Sequence, residues 1–255
     1  MRQVVPALAA VALVLAIWEI GHRTLGLAGL PSPITAIGAL PEILSEPSSL
    51  NDIFQSLRRM AIAYVLAGIF GISVGLVMGR SQLFARLLNP LFMIIYPVPK
   101  GALMPILMIW LGVGDASKIL VIFLGISLPV IMHTWQGSAS VNKTVLWSAS
   151  AMGMSRHQQL FRIVLPSALP EIFIGLRTGL ILALITMVVS EIVARSDGIG
   201  NLLFNAMDMA LYDRMYATII LIAAMGYLLD VGFERVRTHF LKWSDTASPM
   251  GVTAA

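Results

Sequence analysis

Catalysis by side chains needs a nucleophile beside a base, metal ligands at a fixed spacing, or a loop that cradles phosphate. This sequence of 255 residues offers almost none of these. It has no cysteine, and its four histidines are scattered. H-E-x-x-H does not occur, and no glycine-rich loop runs into Lys followed by Ser or Thr. Ser127 and His133 come nearest to a nucleophile and base. The chain is therefore expected to hold no metal, no nucleotide and no cofactor of its own. The residues that could do chemistry are instead single charges in apolar runs: Glu19, Lys100, Arg177, Glu191 and Asp230. A charge at membrane depth is expensive, so each is a functional candidate until a structural partner is found.

The elements that must position these charges are membrane helices. The chain is 58% hydrophobic and only 12% charged, with a mean hydropathy of +0.86. Soluble domains carry about 25% charged residues, so an all-α integral membrane protein is expected. Its net charge of +4 gives no nucleic-acid signature. Six runs approach the length that crosses a bilayer: roughly 4–20, 60–79, 91–111, 118–135, 171–194 and 216–233. The first run has no convincing cleavage site and reads as a retained span. Residues 29–50 are broken by proline and serine and read as an external loop with a short surface helix. Asn51 and Asp52 suit a helix start, so 51–59 are expected to extend the second span outward.

Basic residues set the orientation. One set of inter-span segments holds Arg2, Arg80, Arg86, Lys143, Arg156, Arg162, Arg235, Arg237 and Lys242; the other holds Arg23, Arg58, Arg59, Lys118, Arg195 and Arg214. Nine against six, with most acids on the poorer side, places both termini in the cytoplasm. Gly71, Gly75 and Gly79, and again Gly175, Gly179 and Ala183, recur every fourth residue and predict close helix packing.

Span three is unusual. Pro97, Pro99 and Pro105 fall within nine residues of it, and Lys100 sits in the break. Each interior proline removes a backbone hydrogen bond, and freed carbonyls at depth must face protein or a water-filled cavity. Lys100 there suits an anionic ligand, or else snorkels or pairs structurally. Glu191, near the external end of span five, either lines a path or pairs with neighbouring backbone. Pro97, Pro99, Lys100, Pro105 and Glu191 are thus the candidate translocation path. Glu19 reads as an anchor at a span end, and Arg177 as a snorkelling cation.

The other polar feature is a loop, "SAMGMSRHQQLFRIVLP" (150–166), between spans four and five. Asn142 or Thr144 can cap a first helix, and Gly153 can stop it. Ser155 and Gln158 have capping-box spacing for a second. Arg156, His157 and Gln159 are expected on one side of it, with Leu160, Phe161, Val164 and Leu165 as an apolar stripe. Pro166 and Pro170 should end the element and redirect the chain into span five. A short helix pair, half apolar and half basic, suits a groove on a soluble protein.

Gly153, nine residues, then Ile163-Val164-Leu165-Pro166 resembles the cytoplasmic "EAA" loop of bacterial ABC-importer permeases. "LPSPITAI" (30–37), "SLRRMAIAYVLAGIFGISVGLVMGRS" (56–81), "NPLFMIIYPVPKGALMPILMIWLGVGDASKIL" (89–120) and "EIVARSDGIGNLL" (191–203) are similar to the nitrate/sulfonate/taurine branch of that family. The resemblance covers roughly 17–240. It implies the type I ABC importer fold: an N-terminal helix and external loop (1–50), a transmembrane domain (51–238) and a cytoplasmic tail (239–255).

It further implies a pore made of two permease copies in the bacterial inner membrane. Two cytoplasmic ATPases would spend the ATP, and an external binding protein would deliver a small, anionic solute. The coupling loop would comprise Trp147, Ala149, Gly153, Ser155, Arg156, His157, Gln158, Phe161, Ile163, Leu165 and Pro166. One departure stands out. Trp147, Ser148 and Ala149 occupy the family's Glu-Ala-Ala positions, so Trp replaces the carboxylate. A self-sufficient secondary transporter or channel is the alternative that a broken span would also suit.

Overall fold

A computed structural model describes residues 4–243, with side chains from Ala9 onward. Regular structure among the described residues is entirely helical. Helix α1 (Val4–Leu25) is followed by two short helices, α2 (Pro33–Gly38) and α3 (Leu40–Ser45), and then by α4 (Pro47–Arg80). Next come α5 (Gln82–Ile95), a 3-10 turn (Lys100–Leu103) and α6 (Met104–Leu111). Helix α7 is Asp115–Ala139 and α8 is Lys143–Ala151. A single turn, α9 (Arg156–Gln159), leads into α10 (Leu165–Ala194), and α11 (Ile199–Asp208) and α12 (Tyr212–Phe240) complete the chain.

Four rods are long and apolar enough to cross a bilayer: α4, α7, α9 through α10, and α12. Helices α5 and α6 make a fifth crossing if the bent pair is one span. Helix α1, with 22 residues and a length of about 33 Å, also has the length of a span.

Helix α7 is the axis of the bundle. Its apolar window is 61% buried, against 33% for α4 and 17% for α12. The glycine ladders explain how α4 and α10 close on it. A methyl group at Gly75 would lie 2.5 Å from the Thr134 Cβ and 2.7 Å from the Ile131 carbonyl oxygen. One at Gly175 would lie 2.8 Å from the His133 Cβ. Around these approaches Val121, Ile122, Ile126 and Val130 of α7 pack with Met60, Ala63 and Ala67 of α4 and with Ala183 and Met187 of α10.

Three expectations need correction. Helix α4 starts at Pro47 rather than at Asn51. Proline fits the first turn, where its missing N–H has no partner to lose, and Glu46 before it accepts from Ser48 Oγ at 2.8 Å and Ser49 Oγ at 2.9 Å. The resulting 34 residues extend about 51 Å, well beyond a hydrocarbon core.

Span three is not one interrupted rod. Helix α5 begins at Gln82, and α6 leaves it at 84°. Pro97 and Pro99 occupy the break, but Pro105 lies in the first turn of α6, so it starts a helix rather than breaking one.

Pro166 and Pro170 end nothing. The rod runs unbroken from Arg156 to Ala194. It does so because Leu160–Val164 form a π turn, in which Leu165 N–H reaches the Leu160 carbonyl. The widened turn immediately precedes Pro166, which then takes a first-turn position in α10.

At the other end of the bundle α1 is tied back. Trp18 Nε1 donates to the Pro31 carbonyl at 3.0 Å, and its ring lies 5.3 Å from that of Tyr216.

Candidate functional site

The polar loop folds into a helical hairpin whose stops and starts are all satisfied. Asn142 Oδ1 accepts the Thr144 N–H at 2.8 Å and caps α8. Gly153, at φ +82°, ends it in a left-handed conformation. Gly153 N–H then bonds Ser150 O, and Met154 N–H bonds Ala149 O, both at 3.0 Å, which is the Schellman pattern. Ser155 and Gln158 form the expected capping box, at 2.9 and 3.3 Å.

Gln159 departs from expectation. It does not share the exposed side of Arg156 and His157 but is buried, and its Nε2 donates to Ser150 Oγ (2.9 Å) and to Met154 O (3.0 Å). It latches the second helix to the first. The expected apolar stripe also divides. Val164 is fully buried and Leu160 half-buried, whereas Phe161 stands out at 62% exposure. Ile163, Leu165 and Pro166 are half-buried, and Ala149 is buried against the body. Trp147 (69% exposed) and Met152 (83%) join Phe161 as large apolar side chains in the open. Because Asn142 is the cap, position 147 lies outside the capping box, so replacing a carboxylate there changes the surface and not the helix start.

Beside this hairpin lies a cleft of about 680 Å³ lined by Arg80, Lys143, Trp147, Ser150, Arg156 and His157, with Leu146, Gln159 and Leu160 at its floor.

The broken span makes a second cavity, of about 460 Å³. Tyr96 to Ala102 line it together with Gly125, Leu128 and Pro129 of α7 and Leu182, Ile185, Thr186 and Val189 of α10. Pro97, Pro99 and Lys100 are therefore brought together on one wall, while Pro105 and Glu191 are not part of it. Lys100 Nζ donates to the carbonyls of Ile95 (2.5 Å), Val98 (2.7 Å) and Tyr96 (3.2 Å). An ammonium has three N–H groups, and all are used on the frayed end of α5. Its partner is thus backbone rather than an acid. Lys100 offers the cavity positive charge but no free donor.

Glu191 belongs elsewhere. It is fully buried at the end of the bundle opposite the hairpin. It accepts from Ser56 Oγ at 2.7 and 2.8 Å and from Gly200 N–H at 3.0 Å, with Arg59 Nη1 at 3.4 Å. Of the two readings open for Glu191, these contacts are those of pairing with neighbouring backbone and side chains. Around it, Arg59 also binds Asp115 (2.6 Å) and Asp197, and Lys118 binds Asp197 Oδ1 (2.5 Å), Asp197 O (2.9 Å) and Ser196 Oγ (2.8 Å). Asp52 Oδ1 accepts Gly198 N–H at 3.0 Å. Burial pushes the Asp197 carboxyl up, but hydrogen bonds from Arg59, Lys118 and Ser196 outweigh this and hold it well below the usual carboxylate range.

Sequence reasoning missed this cluster and α11, which it anchors. The available signal was "SDGIGN": Gly198 has φ +105°, and a Cβ at Gly200 would come within 2.8 Å of the Glu191 Cβ.

The remaining candidates have structural partners. Arg177 binds Asp230 through two bonds, of 2.8 and 2.9 Å, joining α10 to α12 rather than snorkelling. Glu19 pairs with Arg23 one turn on. Ser127 Oγ donates to the Phe123 carbonyl at 2.6 Å and His133 Nδ1 lies 3.3 Å from Glu171, so these two form no nucleophile–base pair.

An all-α bundle with four membrane-length apolar helices, a bent helix pair at a cavity and a capped hairpin between two spans is the build of a polytopic membrane protein. The comparisons specify it. Residues 67–241 match the family "binding-protein-dependent transport system inner membrane component", and the chain belongs to that family. The taurine transport system permease protein TauC of Escherichia coli is 34% identical over 95% of this chain and 90% of its own length. A putative aliphatic sulfonates permease, SsuC of Bacillus subtilis, is 29% identical over 92% and 86%. The nitrate import permease NrtB of Synechocystis is 29% identical over 87% and 83%.

Among solved structures, the inward-facing MetNI methionine ABC transporter superposes with a TM-score of 0.62 at 18% identity, covering 77% of this chain and 99% of that one. An amino acid ABC transporter gives 0.60 at 15%, covering 82% and 97%. The fold is that of type I ABC importer permeases, in the nitrate/sulfonate/taurine branch. Membership removes the alternative of a self-sufficient secondary transporter or channel.

Proposed function

We propose that this chain is the pore subunit through which a small anionic solute enters the cell, driven by a separate ATPase. The observation that carries the reading is the capped hairpin at 142–166. Its backbone groups are satisfied internally, yet Trp147, Met152 and Phe161 are left in the open. Large apolar side chains on a rigid polar loop suit a protein groove.

Two copies would enclose the pathway, with both termini and the hairpins in the cytoplasm. One ATPase would receive each hairpin, and an external binding protein would deliver solute. ATP closure of the ATPases would draw the hairpins together, and the continuous α9–α10 rod would carry that movement into the membrane. No nucleotide is bound by this chain in that scheme; its partner uses the ATP. The core of the machine would be residues 51–238, preceded by 1–50 and followed by a cytoplasmic tail, 239–255, of which 244–255 lie outside the described residues.

Anion selectivity finds support in two places. Similar permeases are named for taurine, aliphatic sulfonates and nitrate. Lys100 also places a positive charge on the wall of the broken-span cavity. Pro97 and Pro99 would shape that wall.

The test is reconstitution in proteoliposomes with the cognate ATPase and binding protein. Uptake of labelled taurine, an alkanesulfonate or nitrate should require ATP and all three components. Uptake without the ATPase would overturn the reading.

A further inference from the structure

Arg80, Lys143, Arg156 and His157 converge on the cleft beside the hairpin, and among the described residues none of the four has an ion-pair partner. No acid lines the cleft. Three exposed cations, Arg80, Lys143 and Arg156, held around about 680 Å³ repel one another, and the caps and latch of the hairpin do not use them: those are Asn142, Gly153, Ser155, Gln158 and Gln159. Trp147 lies on the same wall.

We propose that this cleft receives carboxylates from the ATPase, so that the docking surface here is a basic cleft beside an apolar rim. The inference rests on the docking reading above and names the chemistry of the surface that meets the hairpin. The division of labour follows from position. Trp147, Met152 and Phe161 protrude and supply contact area, while Lys143 and Arg156, at the first residues of α8 and α9, give orientation and a fast, salt-sensitive approach. Anionic lipid headgroups share the chemistry of carboxylates, but the cleft is walled by the protruding hairpin, which favours a protein partner.

The experiment measures association of the cognate ATPase with the detergent-purified permease and with nanodiscs of phosphatidylcholine alone, which lack anionic lipid. For the unaltered protein, raising salt from about 0.05 to 0.5 M should weaken binding by roughly tenfold, because rim charges are screened. Lys143→Glu with Arg156→Glu should weaken it by about tenfold or more at low salt, and Lys143→Met with Arg156→Gln by an intermediate factor. Phe161→Asp tests the docking reading separately. If Phe161→Asp abolishes association while charge reversal and salt leave it unchanged, docking stands and the acidic partner is wrong. If none of these variants affects association, docking itself is wrong. Charge reversal that only lowers retention of anionic lipid would also overturn the proposal. The salt titration uses the unaltered chain, so a variant that fails to insert cannot shield the idea.

Discussion

The α11 end of the bundle and the cleft beside the hairpin carry cations in opposite ways. At the α11 end Arg23, Arg58, Arg59, Lys118, Arg195 and Arg214 each meet a carboxylate, and Arg59 and Lys118 do so while buried. At the hairpin end Arg80, Lys143 and Arg156 are exposed, and among the described residues each lacks a carboxylate partner. Burying a charge without a partner costs several kcal/mol, so a closed network has to be complete. Leaving charges in water costs little, so an open set can wait for something outside the chain. The first end is built to hold α4, α7, α10 and α11 in one arrangement. Under the proposed docking, the second is completed by another protein.

That contrast orders the variants. The largest loss of stability should come from Arg59→Ala, which strands Glu191 and weakens the hold on Asp115 and Asp197. Removing one partner from a buried ion pair typically costs about 3–5 kcal/mol, to be read as lowered thermal stability in detergent. An unchanged melting temperature would mean that the network is not structural.

Gly153→Val should invert the pattern. A β-branched residue at φ +82° is strained by about 1–2 kcal/mol, yet no atom lies within 4 Å of the added Cβ, so the damage stays in the hairpin. The protein should insert and hydrolysis by the ATPase should continue, while uptake falls sharply. Normal uptake would count against the coupling role.

Lys100→Ala should act more weakly on both counts. It frees three carbonyls at the end of α5 and removes a cavity charge, so transport of an anionic solute should fall while the bundle stays folded. If uptake is unchanged, the lysine is only a helix cap.

The smallest effect concerns pH. Because the folded Asp197 carboxyl is held below its usual range, its stabilisation is complete above an unfolded pKa of about 3.9 and is lost as pH falls through the lower folded value. Thermal stability should therefore be flat from about pH 5 to 8 as far as this group is concerned. A step in that window would point to another group.

Legibility in the sequence followed the same division. The hairpin was readable because its signals are local: Gly153 for a left-handed stop, and Ser155 with Gln158 for a capping box. Four of the six expected spans fall on helices long and apolar enough to cross a bilayer, and the glycine ladders announced close packing before their partner, α7, was known. The buried cluster was not readable. Its members, Ser56, Arg59, Lys118, Glu191 and Asp197, are spread over more than 130 residues, and no local rule pairs them. The two readings of Glu191 stayed open in the sequence for this reason. A charge in an apolar run looks unpartnered until the fold brings its partner from another helix. Proline misled in the same way at Pro166, where a π turn five residues long let the helix continue.

The most direct test of the account uses the absence of cysteine from the chain, which makes any introduced thiol unique. Phe161→Cys, exposed on the second arm of the hairpin, and Gly38→Cys, at the open end of α2, are cross-linked in the assembled, transport-competent complex. The account predicts a covalent product between position 161 and the ATPase, and none from position 38. A transporting complex in which position 161 never reaches the ATPase, or in which position 38 does, would contradict it.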